Sequence, residues 1–259
     1  MKIVIPMAGL GERFLKAGYT EPKPLIKVDG KPVIEHVVGM FPGEDDFVFI
    51  CNNDHLKATN LQNELKRIKS SAKIIGISQH KLGPVWTVLE ALKIDDFLDD
   101  NEPVIISYCD FSVWWNYEDF KETVRDTKCD VAVIAYKGFH PHLLGPQLYA
   151  SMRVDEKNWM LESREKYSFT ENKMDCFQQA GSYYFARGSI VKKYFSEVVK
   201  KGLIVNGEYY ISGTTTQVMK ESGLNIYVYP LENFLQWGTP KDMETYQFWS
   251  DYFKSIAGK

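Results

Sequence analysis

A glycine-rich segment with cationic side chains nearby lies close to the amino terminus. It comprises Ala8, Gly9, Leu10 and Gly11, followed by Glu12 and Arg13, and it comes directly after the apolar stretch Lys2–Met7. Glycines let backbone N–H groups approach phosphates closely, and an arginine neutralises their charge. Further along, two prolines flank Lys23 and stiffen the backbone that carries its ammonium group. Arg13 and Lys23 are therefore suited to hold a triphosphate.

The glycines alone are weaker indicators of such a site. The P-loop pattern G-x-x-x-x-G-K-[ST] is absent, and Arg13 and Phe14 stand where the dinucleotide-binding fingerprint expects its third glycine. A flexible turn between a strand and a helix would explain Gly9 and Gly11 equally well. The combination with Arg13 and Lys23 favours phosphate binding.

A carboxylate for a metal ion is offered by Asp110. It follows the apolar run that begins at Pro103, which predicts a strand, and a carboxylate at a strand's carboxyl end beside a phosphate loop is well placed to hold Mg²⁺. The alternative is an Asp that caps a helix ahead of Ser112. Ser112 also removes any D-x-D motif, which argues against a sugar-transferring glycosyltransferase.

The elements that must position these residues alternate between strands and helices. The first half predicts strands at Lys2–Met7, Phe47–Cys51, Lys73–Ser78, Pro103–Cys109 and Asp130–Tyr136. It predicts helices at Pro32–Met40, Asp54–Ser70, Gly83–Leu98 and Tyr117–Thr127. Repeated β-α units indicate an α/β fold with a mostly parallel mixed sheet flanked by helices, and with sites at the carboxyl ends of the strands.

The second half is less regular. It predicts a hairpin from Tyr149–Asp155 and Asn158–Glu162, a strand at Phe177–Ala186, and helices at Ser189–Lys200, Glu208–Glu221 and Pro240–Lys254. No linker or internal repeat divides the chain, so we expect one domain over residues 1–259, with a nucleotide-binding part (1–138) and a smaller acceptor-binding lobe (139–259).

Composition excludes several classes of protein. The chain has 259 residues, 44% of them hydrophobic, and a net charge of −3, which speaks against a nucleic-acid or membrane-surface binder. No apolar run approaches the roughly 18 residues of a spanning helix, and the amino-terminal apolar stretch is too short for a signal peptide. Four widely spaced cysteines without a C-x-x-C pair indicate free thiols and a reducing cytoplasm.

Each of two further pairs of residues could have either a functional or an ordinary structural role. His140 and His142 could begin a metal site, but no third ligand accompanies them, so we expect solvent-exposed histidines. Trp114 and Trp115 could form a stacking platform, although core packing is the commoner fate of such a pair.

The wider pattern resembles a known family. Residues 5–14 (IPMAGLGERF) and 22–34 (PKPLIKVDGKPVI) are similar to the signature of the sugar-phosphate nucleotidylyltransferases, above all to the short forms of bacterial capsule clusters. The resemblance implies a glycosyltransferase-A-like fold. It also implies that residues 8–11 bind the nucleotide, that Arg13 and Lys23 hold the triphosphate and stabilise the transition state, and that Asp110 binds the metal.

The same resemblance assigns the base and the acceptor. Gln79 and Gly83 would hold the base, and an amide offers the donor and acceptor that suit a pyrimidine; a surface Gln and a helix-start Gly are the alternative. Lys166, Gly181 and Glu208 match acceptor-binding motifs, and a charged pair at a hairpin end is the alternative for Lys166. Two departures stand out. Gly83 is followed by Pro-Val-Trp, and Gln236 replaces the acid that often completes the metal site, whereas Asp242 fits a helix start.

The reaction implied is the transfer of a nucleoside monophosphate from an NTP to a small phosphorylated acceptor, with Mg²⁺ as cofactor and pyrophosphate as product. CTP is favoured by Gln79 and by similarity to capsule-type cytidylyltransferases, including those that act on phosphoglutamine. A sugar-1-phosphate enzyme that uses another NTP, a glycosyltransferase and a non-catalytic nucleotide-binding protein stay open. The sequence leaves the acceptor and the oligomeric state undetermined.

Overall fold

The computed structural model describes residues 1–147 and 149–257. Its strands are β1 (Lys2–Met7), β2 (Lys27–Val28), β3 (Lys31–Pro32), β4 (Phe47–Asn52), β5 (Lys73–Ile77), β6 (Val104–Ser107), β7 (Phe111–Trp114), β8 (Val131–Tyr136), β9 (Ser151–Val154), β10 (Met160–Arg164), β11 (Phe177–Phe185), β12 (Ile226–Leu231) and β13 (Asn233–Gln236). Its α-helices are α1 (Glu12–Lys16), α2 (Val33–Gly39), α3 (Asn53–Ala58), α4 (Leu61–Ile68), α5 (Gly83–Ile94), α6 (Tyr117–Thr127), α7 (Gly188–Lys200), α8 (Thr216–Glu221) and α9 (Pro240–Ala257).

One large sheet joins both halves of the chain. Within the described residues it has nine strands. Seven of them follow the order β10-β9-β11-β6-β1-β4-β5; in addition, β8 pairs with β11, and β12 pairs with β8. Strands β4 and β6 run parallel to β1, and β5 runs parallel to β4. Because β11 is antiparallel to β6, β8 and β9, only β10 and β11 oppose the common direction. The expected mostly parallel α/β sheet is confirmed.

Helices cover both faces of this sheet, and the core is divided accordingly. Along β1, Ile3 and Ile5 pack into one buried cluster, whereas Val4 packs into the other. All three side chains are fully buried. A strand buried on both faces must be apolar at every position, which is why β1 has no alternating polar residues.

Of the predicted helices, one is divided in the structure and another is shorter than expected. The expected helix over Asp54–Ser70 is two helices, α3 and α4, because Thr59 takes an extended conformation. Its hydroxyl donates to the His55 carbonyl and accepts from the Leu61 N–H, so one side chain ends the first helix and begins the second. The helix expected over Gly83–Leu98 ends at Ile94, where Asp95 turns into extended backbone.

The expected helix over Glu208–Glu221 is largely absent. Residues 211–215 form an irregular turn in which Ser212 and Gly213 have non-helical dihedral angles, and helix α8 begins only at Thr216. Gly213 has a φ of 45° and lies against Glu165, where a Cβ would be 2.6 Å from the Glu165 nitrogen. Packing against the β10 segment therefore overrides helix propensity.

Five strands were not predicted, among them the short antiparallel pair β2 and β3. Strand β12 extends the large sheet beside β8, and β7 with β13 forms a separate antiparallel ribbon. The ribbon places Gln236 opposite Phe111, next to Asp110. No helix in the described part of the chain is long and apolar enough to cross a membrane.

Candidate functional site

A cleft of about 480 Å³ lies at the carboxyl ends of β1 and β6. Its walls come from the glycine-rich loop after β1, the turn after β6, the start of α5 and the segment around Glu208. The described residues that line it include Ala8, Gly9, Leu10, Gly11, Arg13, Lys23, Gly83, Asp110 and Glu208. Parallel strands thus bring together most of the predicted site residues at the edge where ligands of such sheets bind.

The glycine-rich loop has the conformation that its glycines permit. Gly11 has a φ of 65°, in the left-handed region, and its carbonyl accepts the N–H groups of Phe14 and Leu15 at the start of α1. Gly9 pairs with His80 in an isolated parallel bridge, and a Cβ on Gly9 would meet no atom within 4 Å. The loop is thereby tied to the sheet edge while its surface stays open to a ligand.

Lys23 lies at the floor of the cleft in an ion pair. Its ammonium group is 2.7 Å from Asp110 Oδ2 and donates to the Gly238 carbonyl at 3.2 Å. It also lies 5.1 Å from the centroid of the Phe14 ring. The short 3₁₀ turn Lys23–Leu25, stiffened by Pro24, holds the side chain in this position. Asp110 caps no helix, because strand β7 follows it directly.

The other loop cation is differently placed. Arg13 is exposed on the lip of the cleft, and its guanidinium makes no ion pair with any described residue. Beside it, Glu12 pairs with Lys81, which comes from the segment that leads into α5. The hydrogen bond from Lys81 lowers the pKa of Glu12. Arg13 is thus the cation that is available to an incoming anion without breaking an existing pair.

The donor set at Asp110 fits a magnesium ion that is shared with substrate. A Cβ on Gly238 would lie 2.7 Å from Gln236 Nε2 and 3.3 Å from Asp110 Oδ2, so the two side chains are neighbours. The Gln236 amide N–H donates to the Tyr149 hydroxyl at 2.5 Å. No group of three acidic, histidine or cysteine side chains suited to a metal occurs among the described residues. The Asp110 carboxylate suits Mg²⁺, which usually takes most of its ligands from phosphates and water.

The corner predicted to hold the base is built from His80 as well as Gly83. Gln79 is exposed and is not among the residues that line the cleft, whereas His80 lines it. Since His80 Nδ1 accepts the Leu82 N–H at 3.1 Å, a neutral ring carries its proton on Nε2. That Nε2–H donates to the Thr87 hydroxyl at 3.0 Å, and the hydroxyl donates to the Gly83 carbonyl at 3.1 Å.

Burial lowers the pKa of His80, which keeps the ring neutral and this chain of hydrogen bonds intact. Gly83 itself has a φ of 84°, and a Cβ there would be 2.9 Å from the Tyr209 carbonyl oxygen. Tyr209 donates its N–H to the Leu82 carbonyl at 2.8 Å and accepts from the Val85 N–H at 3.2 Å. Glycine at position 83 therefore allows the predicted base corner and the Glu208 segment to touch.

Only one of the three predicted acceptor residues is among the described residues that line the cleft. Glu208 lines the cleft, and the Lys166 ammonium lies 5.4 Å from the ring centroid of Tyr210, another lining residue. Gly181 is buried on β11, has a φ of 102°, and a Cβ there would be 3.0 Å from Tyr108 Cδ2. Gly181 thus makes room for Tyr108, which lines the cleft, and does not line it itself.

The partly buried carboxyl group of Glu165 lies beside Ser212. Burial raises the pKa of Glu165, while a 2.6 Å hydrogen bond from the Ser212 hydroxyl lowers it in part. Nearby, the buried Tyr183 hydroxyl has no hydrogen-bond partner among the described atoms. These groups would stabilise a polar ligand atom that reached them, since burying unpartnered polar atoms is unfavourable.

The structure shows the surroundings of the histidine pair and of the tryptophan pair. The expectation that His140 and His142 are solvent-exposed is wrong: His140 is buried, and His142 shares a 2.7 Å hydrogen bond with the Tyr136 hydroxyl. Burial lowers the pKa of His142 to about 3. Of the tryptophans, Trp115 packs in an aromatic cluster and donates to the Met40 carbonyl, whereas Trp114 is exposed.

Asp242 lies in the first turn of α9, as expected: its N–H donates to the Thr239 hydroxyl at 3.2 Å, and that hydroxyl donates to the Asp242 carboxylate at 2.7 Å. All four cysteines are free thiols.

Sequence reasoning missed His80, Lys81, Tyr108 and Tyr210 as lining residues. His80 and Lys81 directly follow Gln79, so their position after β5 was a usable signal. Tyr108 lay within the predicted strand Pro103–Cys109 and Tyr210 within the predicted helix Glu208–Glu221, and a tyrosine in such an element is most often part of the core.

Comparison with known proteins agrees with this geometry. The family model of the MobA-like NTP transferase domain matches residues 3–175. The bifunctional protein GlmU of Methanocaldococcus jannaschii is 26% identical over 222 residues, which are 85% of this chain and 47% of that protein. The glucose-1-phosphate cytidylyltransferase of Salmonella typhimurium is 38% identical over 53 residues, 20% of this chain and 21% of that protein. The chain thus spans about half the length of the first of these relatives and a fifth of the second.

A solved structure shares the fold. The nucleoside-diphosphate-sugar pyrophosphorylase of Vibrio cholerae RC9 superposes with a TM-score of 0.74 at 20% identity, over 95% of this chain and 99% of that one. The family model covers about two thirds of the chain, including the glycine-rich loop, Lys23 and Asp110. The family predicted from the motifs is therefore confirmed, and this chain belongs to the MobA-like NTP transferase family.

Proposed function

We propose that this protein is a nucleotidylyltransferase that joins a nucleoside monophosphate, taken from an NTP, to a small phosphorylated acceptor and releases pyrophosphate. The observation that carries the proposal is the meeting of three groups in one cleft. The open glycine loop, the unpaired cation Arg13 and the Lys23–Asp110 pair all face the space at the end of β1. Family membership supports the same reaction class.

In this reaction an acceptor phosphate oxygen attacks the α-phosphorus of the NTP. A new P–O bond forms, the bond between the α-phosphorus and the bridging oxygen breaks, and pyrophosphate leaves with the electron pair. A phosphate is already anionic, so no protein nucleophile or base is required. Arg13 and Lys23 would neutralise charge on the triphosphate and on the leaving group, and the backbone of residues 8–11 would orient it.

Asp110, assisted by Gln236, would hold Mg²⁺. When bound, the ion would screen the negative charge of the phosphates and fix their orientation. The residues that surround Asp110 are compatible with that arrangement, because Lys23 can pass from the carboxylate to a phosphate oxygen as the carboxylate takes the metal. We therefore expect Mg²⁺ and the nucleotide to bind together.

The two parts of the chain would bind different substrates. Residues 1–138 would bind the nucleotide, with the base beside Gly83, His80 and, at the outer edge, Gln79. Residues 139–259 would supply Lys166 and Glu208 to the acceptor, with Gly181 supporting Tyr108. The hydrogen bonds between Leu82 and Tyr209 join these two parts at the cleft.

We favour CTP as the donor, a non-sugar phosphate such as phosphoglutamine as the acceptor, and capsule biosynthesis in the cytoplasm as the setting. A relative named as a glucose-1-phosphate cytidylyltransferase supports the choice of base. The Gln79 side chain, at the outer edge of this corner, would offer a pyrimidine the donor and the acceptor of its amide. Free thiols at all four cysteines fit a reducing compartment.

The test is a pyrophosphate-release screen of the four NTPs against phosphorylated sugars, polyols and amino-acid amides. We expect metal-dependent release, with CTP at least about tenfold above ATP and GTP in kcat/KM, because one hydrogen bond to a buried partner is worth about 1–3 kcal/mol. A purine preference would refute the cytidylyl assignment alone. Turnover of a finished nucleotide sugar without pyrophosphate would indicate a glycosyltransferase, and binding without turnover a nucleotide sensor.

A further inference from the structure

The carboxyl-terminal helix α9 presents an aromatic surface to solvent. Five large apolar side chains, spaced three or four residues apart along one side, are about half exposed or more: Phe248 (65%), Trp249 (48%), Tyr252 (48%), Phe253 (57%) and Ile256 (46%). The four aromatic rings contact one another, and the rings of Trp249 and Phe253 are stacked with their centroids 5.9 Å apart. We call these five residues the outer face of α9.

The inner side of the same helix is held by polar contacts. Tyr246, Ser250 and Lys254 all contact the carboxylate of Asp29, and Gln247 accepts the Asp29 N–H at 3.0 Å. Burial alone would raise the pKa of Asp29, but the hydrogen bonds from these side chains lower it to about 2. The helix is therefore locked in rotation, and its aromatic residues cannot turn inward.

This is the reverse of an ordinary surface helix, whose apolar stripe faces the core and whose polar side faces water. A contiguous exposed apolar patch of several hundred Å² on a soluble domain marks an interaction surface. At 150–250 Å² for each aromatic side chain, the five exposed fractions amount to roughly 500 Å² on one protomer.

We propose that the outer face of α9 is the interface of a symmetric homodimer, in which two copies of α9 pack against each other about a twofold axis. Two such faces would bury roughly 1,000 Å² in total, which reaches the lower bound expected for a biological interface. A twofold contact requires one surface to complement itself, and an uncharged aromatic stripe does so without charge repulsion. This inference does not depend on the proposed enzymatic reaction.

Charge disfavours a membrane as the occupant. Helices that lie on anionic lipid carry many lysines or arginines on their polar side. Helix α9 has two lysines against three acidic residues, and Lys254 is engaged by Asp29. A second copy of this chain therefore fits the outer face better than a lipid surface.

The test is sedimentation velocity on the full chain over the micromolar range. We expect wild type to sediment as a dimer, and the double variant Trp249→Glu/Phe253→Glu to raise the dimer dissociation constant at least about thirtyfold, since buried interface aromatics carry most of the binding energy. The control Ile94→Glu changes a 63% exposed apolar residue at the end of α5 and should leave the dimer intact.

Circular dichroism checks that each variant is folded, and Tyr252→Arg provides a second disruption of the same face. A wild type that stays monomeric throughout would overturn the proposal, as would a dimer that persists in both folded variants. Monomeric wild type that co-sediments with phosphatidylserine vesicles would overturn it in favour of a membrane.

Discussion

The ion pair between Lys23 and Asp110 makes an unusual prediction about the metal. The Lys23 ammonium lies 2.7 Å from Asp110 Oδ2, and both groups are largely shielded from solvent. A divalent cation that binds without nucleotide must displace this ammonium and remain beside it. Lys23→Met should therefore tighten the binding of the metal alone, although it removes a residue that we assign to catalysis.

The size of the effect follows from the distance and the exposure. Two unit charges 4 Å apart interact by about 4 kcal/mol near a protein surface and about 1 kcal/mol in water. The side chains of Lys23 and Asp110 are 15% and 30% exposed, and part of the repulsion from Lys23 is screened. We expect a net effect of about 1.4 kcal/mol, which is a tenfold lower Kd for the metal.

Titration of Mn²⁺ without nucleotide, followed by calorimetry or electron paramagnetic resonance, measures this directly. Arg13→Gln is the matched control, because it removes a cation from the same cleft that does not contact Asp110, and it should leave the affinity nearly unchanged. Asp110→Asn should abolish the site. If Lys23→Met binds the metal no more tightly than wild type, either the pair does not compete with the metal or the metal lies elsewhere.

Four other variants test three separate features. Arg13→Ala should lower kcat/KM about a hundredfold, the loss expected when a charge-stabilising contact of about 3 kcal/mol is removed; steady-state kinetics that retain a third of the activity would contradict its assignment. Gly181→Ala should lower the free energy of unfolding by about 1–3 kcal/mol, because φ is 102° and the new Cβ would meet Tyr108 at 3.0 Å. Gly138→Ala shares a positive φ of 90° without a close neighbour, and in denaturant titrations it should lose less. His142, with its pKa lowered to about 3, is neutral in the fold and protonates near pH 6.5 when unfolded, so it stabilises the protein above that pH and loses this contribution as the pH falls towards 3. His142→Gln should flatten the decline by up to about 1.4 kcal/mol per pH unit, whereas an unchanged slope in acid-dependent unfolding would exclude His142 as its source.

Local patterns in the sequence predicted most strands in the first half of the fold. Strand β1 is apolar at nearly every position and is followed at once by glycines, so its burial and the turn after it could be predicted from a few neighbouring residues. The same holds for Lys23, whose flanking prolines restrict the backbone whatever surrounds them. Most of the predicted site residues that line the cleft belong to such segments, whereas Glu208 lies in a segment whose predicted helix is largely absent.

Where the prediction failed, a side chain from elsewhere in the chain decided the outcome. Glu165 determines the turn at Gly213 and so prevents the predicted helix. Tyr136 offers His142 a buried hydroxyl, which a reading of the local loop could not anticipate.

The sequence by itself determined the fold class, the phosphate-type loop and its cations, because these depend on residue type and on spacing within some thirty positions. Only the tertiary structure decided that Lys23 pairs with Asp110, that Gln236 lies beside them, and that His80 faces the cleft while Gln79 does not. Those contacts join residues 87 or more positions apart, or depend on which way a strand end turns. They arise from the pairing of β7 with β13 and from the shared edge of parallel strands.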